Sequence, residues 1–191
     1  MYVFLKDKSI KSPADFAGVR MITLYKDKIS HAIASSVGAI PVNGDTTNFA
    51  SKFKRGRVDI ISAPAAVTEA LELDKAMQPN GGVIDIPLWM LTLQVVIKPE
   101  KFTPDFGQRA RELSLDYFDT VVEGIVKKAE QKLEGFWIET DDELKDQWQP
   151  VFAKLRADMA EEGEYDPRML KLLKKLRCRS QPERNECGAV Q

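Results

Sequence analysis

The sequence has few of the groups that usually carry enzyme chemistry. It holds one histidine, His31, and two cysteines, Cys178 and Cys187, both near the end of the chain. A structural zinc site wants four nitrogen or sulfur ligands, and His31 lies far from the cysteine pair, so no metal site is expected. Nucleophile-elbow, phosphate-loop and zinc motifs are missing, and neither a catalytic role nor a cofactor is called for. Charge of one sign is missing too: 28 Lys and Arg stand against 29 Asp and Glu. A nucleic-acid surface would show a basic stripe, so no nucleic-acid partner is expected. Long apolar runs are absent. The longest, Leu88 to Ile97, is broken by Thr92 and Gln94 and is too short to span a bilayer. The start, Met1-Tyr2-Val3-Phe4-Leu5, has no basic n-region and no small-residue cleavage site. It reads as a strand, in a piece of a longer protein or in an intact cytosolic one.

What is present is an alternation of short helices and short strands. Ser12-Pro13 sets a cap before a proline in the first helical turn, and Gly18 closes that helix. Val19 to Thr23 follows as a strand. Lys26 to Val37 has helical spacing and stops at Gly38, and Ala39 to Val42 is the next strand. A helix capped at Thr46 or Thr47 ends at Gly56. Val58 to Ser62 is continuously apolar, as in a parallel strand covered on both faces. Pro64 to Ala76 reads as a helix, Val83 to Ile86 as a strand, and Leu88 to Lys98 as a longer strand. Beyond residue 98 the pattern is helical: Asp105 to Leu133, Thr140 to Glu161 behind a capping box, and a third helix from Asp166-Pro167 to Arg177. The expected fold class is α/β: a mostly parallel sheet flanked by helices over residues 1–98, then a helical C-terminal region over 99–191 that packs on it.

In such sheets ligands sit beyond the carboxyl ends of the strands. Those ends carry Thr23 and Tyr25, then Asp45 and Thr46, then Ser62, then Trp89. Tyr25 and Trp89 offer rings for stacking, or pack between elements. Asp45-Thr46-Thr47 at a helix start is either a cap or a seat for an anion. Ser62 is a lone hydroxyl with no base beside it in sequence. The basic run Lys171 to Arg179 reads as a solvated helix face, with a membrane partner as the alternative. Cys178 and Cys187 are either free thiols or a disulfide closing a short loop.

These residues resemble one lobe of a bacterial periplasmic solute-binding protein, most closely the substrate-binding subunits of TRAP transporters. The resemblance rests on Ser12-Pro13-Ala14-Asp15-Phe16-Ala17-Gly18 before a strand, on Gly38-Ala39-Ile40-Pro41-Val42, and on Gly56-Arg57-Val58-Asp59. An uncharacterised proteobacterial solute-binding-like group is similar along nearly the whole chain, including Phe49 to Phe53, Met169 to Lys175 and the paired tail cysteines. The resemblance implies a periplasmic-binding-protein-like lobe, periplasmic localisation, a Cys178–Cys187 disulfide, and capture of a small solute between two lobes for a membrane transporter subunit. It places Arg20 where the family has the arginine that pairs with a substrate carboxylate, a task suited to a planar donor fork. It also places Ala63 where the family has a ligand-contacting asparagine, which departs from the organic-acid pattern. Hinges are expected at Tyr2–Leu5 and Leu93–Lys98. With one lobe in hand, a homodimer that covers the cleft is a further expectation. The alternative is an intracellular effector-binding regulatory domain of the same fold.

Overall fold

The computed structural model describes residues 1–87, 95–184 and 186–188. Its frame is a six-stranded sheet in the order β3-β2-β4-β1-β5-β6. The strands are β1 (Tyr2–Leu5), β2 (Arg20–Leu24), β3 (Ile40–Gly44), β4 (Ile60–Ala63), β5 (Gly82–Ile84) and β6 (Trp137–Ile138). The sheet is mixed: β2 pairs in parallel with β3 and β4, and β5 with β6, whereas β1 runs antiparallel to both β4 and β5. The cause lies in residues 6–19. They form only one 3-10 turn, Pro13–Phe16, too short to carry the chain across the sheet, so β2 starts at the edge where β1 ended. Helices α1 (Lys28–Ser36) and α2 (Phe49–Lys54) then make crossovers between parallel strands.

Side chains alternate across the sheet, and each face has its own core. Val3, Leu5, Met21, Ile60, Ile84 and Ile138 pack with α1 and with α6 (Asp142–Glu161) on one face. Phe4, Ile22, Ile61 and Val83 pack with α2, α3 (Leu73–Met77) and Leu133 on the other. Trp148 anchors α6: it is 2% exposed, meets the Phe16 ring edge-on at 5.1 Å, and its Nε1 donates to the Lys11 carbonyl at 3.0 Å.

Several elements differ from the sequence expectation. Pro64 to Ala76 is not one helix but a 3-10 turn at Ala65–Val67 and then α3, with Glu72 between them in the left-handed region at φ 48°. Asp105 to Leu133 is α4 (Phe106–Tyr117), a wider π turn at Phe118–Val122, and α5 (Glu123–Gln131). The cap of α6 is the Asp141 carboxylate, which accepts from the Leu144 amide at 2.8 Å, while the Thr140 hydroxyl turns back to Asp85. Residues 95–98 are irregular, and the rest of the strand expected over Leu88–Lys98, with its hinge at Leu93 and Gln94, lies outside the described residues. The last helix, α7 (Pro167–Ser180), leads into a tail folded back by the Cys178–Cys187 disulfide.

Candidate functional site

The topology brings the carboxyl ends of β2 to β6 and the start of β1 to one rim of the sheet. Three turns project from it, after the edge strand β3 and after β2 and β4 next to it. Tyr25 follows β2 and is 73% exposed, and its amide is held by the Gly44 carbonyl at 2.9 Å. Lys26 is left-handed, φ 65°, a conformation that costs a side-chain-bearing residue energy. Its ammonium lies 5.4 Å from the Tyr25 ring centroid. Asp45 and Thr46, exposed, follow β3; Pro64 follows β4.

Asp45 is a cap. Its Oδ1 accepts from the Thr47 hydroxyl at 2.5 Å, the Thr47 amide at 2.8 Å and the Asn48 amide at 3.1 Å. Its Oδ2 accepts from Asn48 Nδ2 at 2.5 Å. The Thr47 hydroxyl first, then the Thr47 and Asn48 amides and Lys52, hold this carboxyl below its ordinary range. The amides of this turn are therefore already taken by an anion of the chain itself. Lys52 reaches back to the Asn43 carbonyl beneath it.

Behind the turns lies a polar row. The fully buried Thr23 donates its hydroxyl to Asn43 Oδ1 at 3.3 Å. The register of Met21 against Ile60 carries Thr23 alongside Ser62 on the next strand. Ser62 Oγ is buried and has no hydrogen-bond partner among the described residues. A hydroxyl left so costs energy unless something supplies the bond.

Arg20 does not join this set. It begins β2, four residues or about 13 Å along the strand from Leu24. Its Nε and Nη2 each donate at 2.7 Å to the Asp59 carboxylate, which first by that hydrogen bond and then by its charge raises the pKa of the guanidinium. The ligand fork expected from sequence is thus filled, at the far edge of the sheet. Trp89 lies outside the described residues. So the structure groups Thr23, Tyr25, Asp45, Thr46 and Ser62 and sets Arg20 apart. Lys26 and Asn43 stand beside this group and were not singled out as candidates from sequence. A left-handed lysine has no sequence signature, but Asn43 sits in the Asn43-Gly44-Asp45 turn and was open to recognition.

The rim also carries a larger concavity, a groove of about 1020 Å³ between the ends of β5 and β6, α6 and the tail, lined by Asp85, Pro87, Thr140, Gln149, Arg156 and Glu183. At its far end Glu186 sits among Arg177 (2.8 Å), Arg156 (3.4 Å) and Arg184 (3.6 Å). The Arg177 hydrogen bond leads in holding the Glu186 carboxyl down, to about 2. Within the described residues no cluster of three or more His, Cys, Asp or Glu is placed to hold a metal ion, and no helix is long and apolar enough to cross a membrane.

Comparison with known proteins gives consistent findings. The family model described as solute-binding protein AdeT 1/2 matches residues 1–191. The probable solute-binding protein AdeT1 of Acinetobacter baumannii is 28% identical over 188 residues, covering 98% of this chain and 62% of that protein. The probable solute-binding protein AdeT2 of the same organism is 27% identical, covering 96% and 77%. Among solved structures, a TRAP periplasmic solute-binding protein from Desulfovibrio salexigens with bound orotic acid superposes with a TM-score of 0.69 at 14% identity, over 93% of this chain and 60% of that one. One from Pseudomonas aeruginosa with bound L-malate gives 0.69 at 12% identity, over 83% and 61%. At these identities the structural likeness establishes the fold. The chain spans about three-fifths of the length of AdeT1 and of these solved structures.

Proposed function

The chain belongs to the AdeT 1/2 family of solute-binding proteins, and from that membership we propose that it forms one wall of a ligand cleft in a bacterial solute-uptake system. The rim carrying Tyr25, Lys26, Thr46 and Ser62 meets a small carboxylate-bearing solute, with Asp45 shaping the turn beside it. A facing lobe, of the kind the longer relatives have room for, or a second copy, closes over it by hinge motion. The loaded protein then docks on a membrane transporter subunit in the periplasm. The disulfide Cys178–Cys187 supports an oxidising compartment over the intracellular regulatory alternative.

The observation that carries this reading is the contrast between a sheet packed on both faces and the exposed turns Tyr25–Lys26 and Asp45–Thr46 beyond its strand ends. Carboxylate chemistry is supported by the bound orotate and malate of the structural relatives and by Lys26, an exposed cation that takes part in no ion pair among the described residues. Lys26 takes the role that the resemblance gave to Arg20. Isothermal titration calorimetry of the chain against orotate, L-malate and succinate tests this. Binding of at least one, weakened by Lys26→Ala and untouched by Arg20→Ala, is the expected result. No heat with any carboxylate, or a loss with Arg20→Ala alone, overturns it.

A further inference from the structure

Helix α7 carries its apolar side outward. Met169, Leu172, Leu173 and Leu176 follow the spacing of one helical stripe, and each is between 42% and 53% exposed. The half-buried residues Leu170, Lys174, Arg177 and Cys178 form an adjoining stripe, centred roughly 130° round the helix. Two ties hold the helix this way round. The Cys178–Cys187 disulfide joins it to the tail, and Glu186 bridges Arg177 on α7 to Arg156 on α6. An amphipathic helix normally packs its apolar stripe against its own protein. Here the covalent and ionic ties hold the adjoining stripe instead.

The charge of α7 says what the stripe meets. The helix holds six basic residues, Arg168, Lys171, Lys174, Lys175, Arg177 and Arg179, and no acidic one. At about 100° per residue, Arg168, Lys171, Lys175 and Arg179 fall along one flank of the stripe. Of these, Lys171, Lys175 and Arg179 take part in no ion pair among the described residues; Arg168 is paired with Asp166. A second copy of this face would set one such cationic flank against another. An apolar stripe edged by cations matches the boundary between acyl chains and anionic headgroups.

We propose that α7 is a peripheral membrane-binding element. It lies flat on an anionic bilayer surface with Met169, Leu172, Leu173 and Leu176 dipping into the headgroup layer and the lysine flank on the lipid phosphates. This would hold the protein close to a membrane-embedded partner whatever solute occupies the rim.

The test is co-sedimentation of the full chain with vesicles of phosphatidylcholine containing roughly 30 mol% phosphatidylglycerol, against phosphatidylcholine alone. Binding to the anionic vesicles only, reversed by high salt, is expected. Leu172→Gln with Leu176→Gln, and separately Lys171→Gln with Lys175→Gln, should each lower the partition by about tenfold or more. All four side chains are exposed, and circular dichroism should show both variants folded as the parent. Three results overturn the proposal: no sedimentation with anionic vesicles at low salt, a leucine variant that binds as the parent does, or a dimer in sedimentation velocity that the leucine variant abolishes. The last would assign the stripe to a second copy.

Discussion

The sheet and the helices α4 and α7 use the same kind of pattern to opposite ends. In β1, Val3, Phe4 and Leu5 are all fully buried, two to one side and one to the other, beneath elements of the same chain. In α4, Phe106, Ala110, Leu113 and Tyr117 share one side at helical spacing, yet no residue of that helix is buried. The same holds for α7. An apolar period therefore states that a face needs cover and leaves open where the cover comes from. Where it comes from the same chain, burial stabilises the fold. Where it does not, the exposed face is available to something else.

The largest effect that would break this division is in the core. Trp148→Ala removes a buried ring, its edge-on contact with Phe16 and its hydrogen bond to Lys11, and should cost about 3–5 kcal/mol. Leu113→Ala, on the open face of α4, should change stability by no more than about 0.5 kcal/mol. Urea unfolding followed by circular dichroism measures both. Similar losses would mean that α4 is packed as tightly as α6, and the contrast would fall.

The tail comes next. Opening the disulfide with Cys178→Ser frees a loop of nine-residue separation, worth at most roughly 2–3 kcal/mol by loop entropy. That energy is local, because the loop ties α7 to its own tail and no strand to another. Faster proteolysis around Ser180 to Cys187, with the melting of the sheet nearly unmoved, is the expected pair of results. A large drop in the main transition would place the tail within the cooperative core.

How far these regions were legible in sequence follows the same division. The short strands and their stops were readable, because Gly18, Gly38 and Gly56 all take positive φ at the turns that end each helical stretch, between 65° and 76°. The two-sided burial of Ile60 and Ile61 follows from their unbroken apolar run. β6 was not readable: two residues carry no period, and only the parallel pairing with Val83 and Ile84 makes Trp137 and Ile138 a strand. The break in the helix expected after Pro64 rests on a left-handed Glu72, which composition does not signal. Tyr25, Asp45 and Thr46 could be placed at the rim from sequence because strand ends become rim turns. Arg20 was set with them although it begins its strand, and only the three-dimensional placement of Asp59 reveals what it does. For α7 the sequence showed a helix with a basic, solvated face; its outward apolar residues and the ties to Arg156 and Glu186 are visible only in three dimensions.

The ionic tie to the tail has a pH signature. Glu186 has a folded-state pKa of about 2 against an ordinary 4.5. A carboxyl depressed on folding contributes its stabilisation above the ordinary value and loses it as pH falls through the folded one. Tail protection should therefore be full above about pH 4.5 and fade between there and about pH 2. Glu186→Gln should flatten that profile and leave the tail as labile at pH 6 as the parent is in acid. Hydrogen exchange of α7 amides against those of β1 separates the two regions; a profile unchanged by the substitution would assign the acid response to other carboxyls.

The smallest effects separate the two cations on β2 and its turn. Arg20 and Asp59 form a two-point ion pair at the sheet edge, but the arginine side chain is 44% exposed, so screening limits the pair to about 1 kcal/mol or less. Lys26 is held left-handed, where glycine is at ease and lysine is not. Lys26→Gly should therefore leave stability unchanged or raise it by up to about 1 kcal/mol, while lowering affinity for a carboxylate. Arg20→Ala should do the reverse, losing a little stability and no affinity. Thermal melts and titrations on the same two variants read both quantities. If Lys26→Gly lowered stability and spared binding, the left-handed turn would be a packing feature like any other, and the open rim would lose its claim to be the ligand-facing part of the molecule.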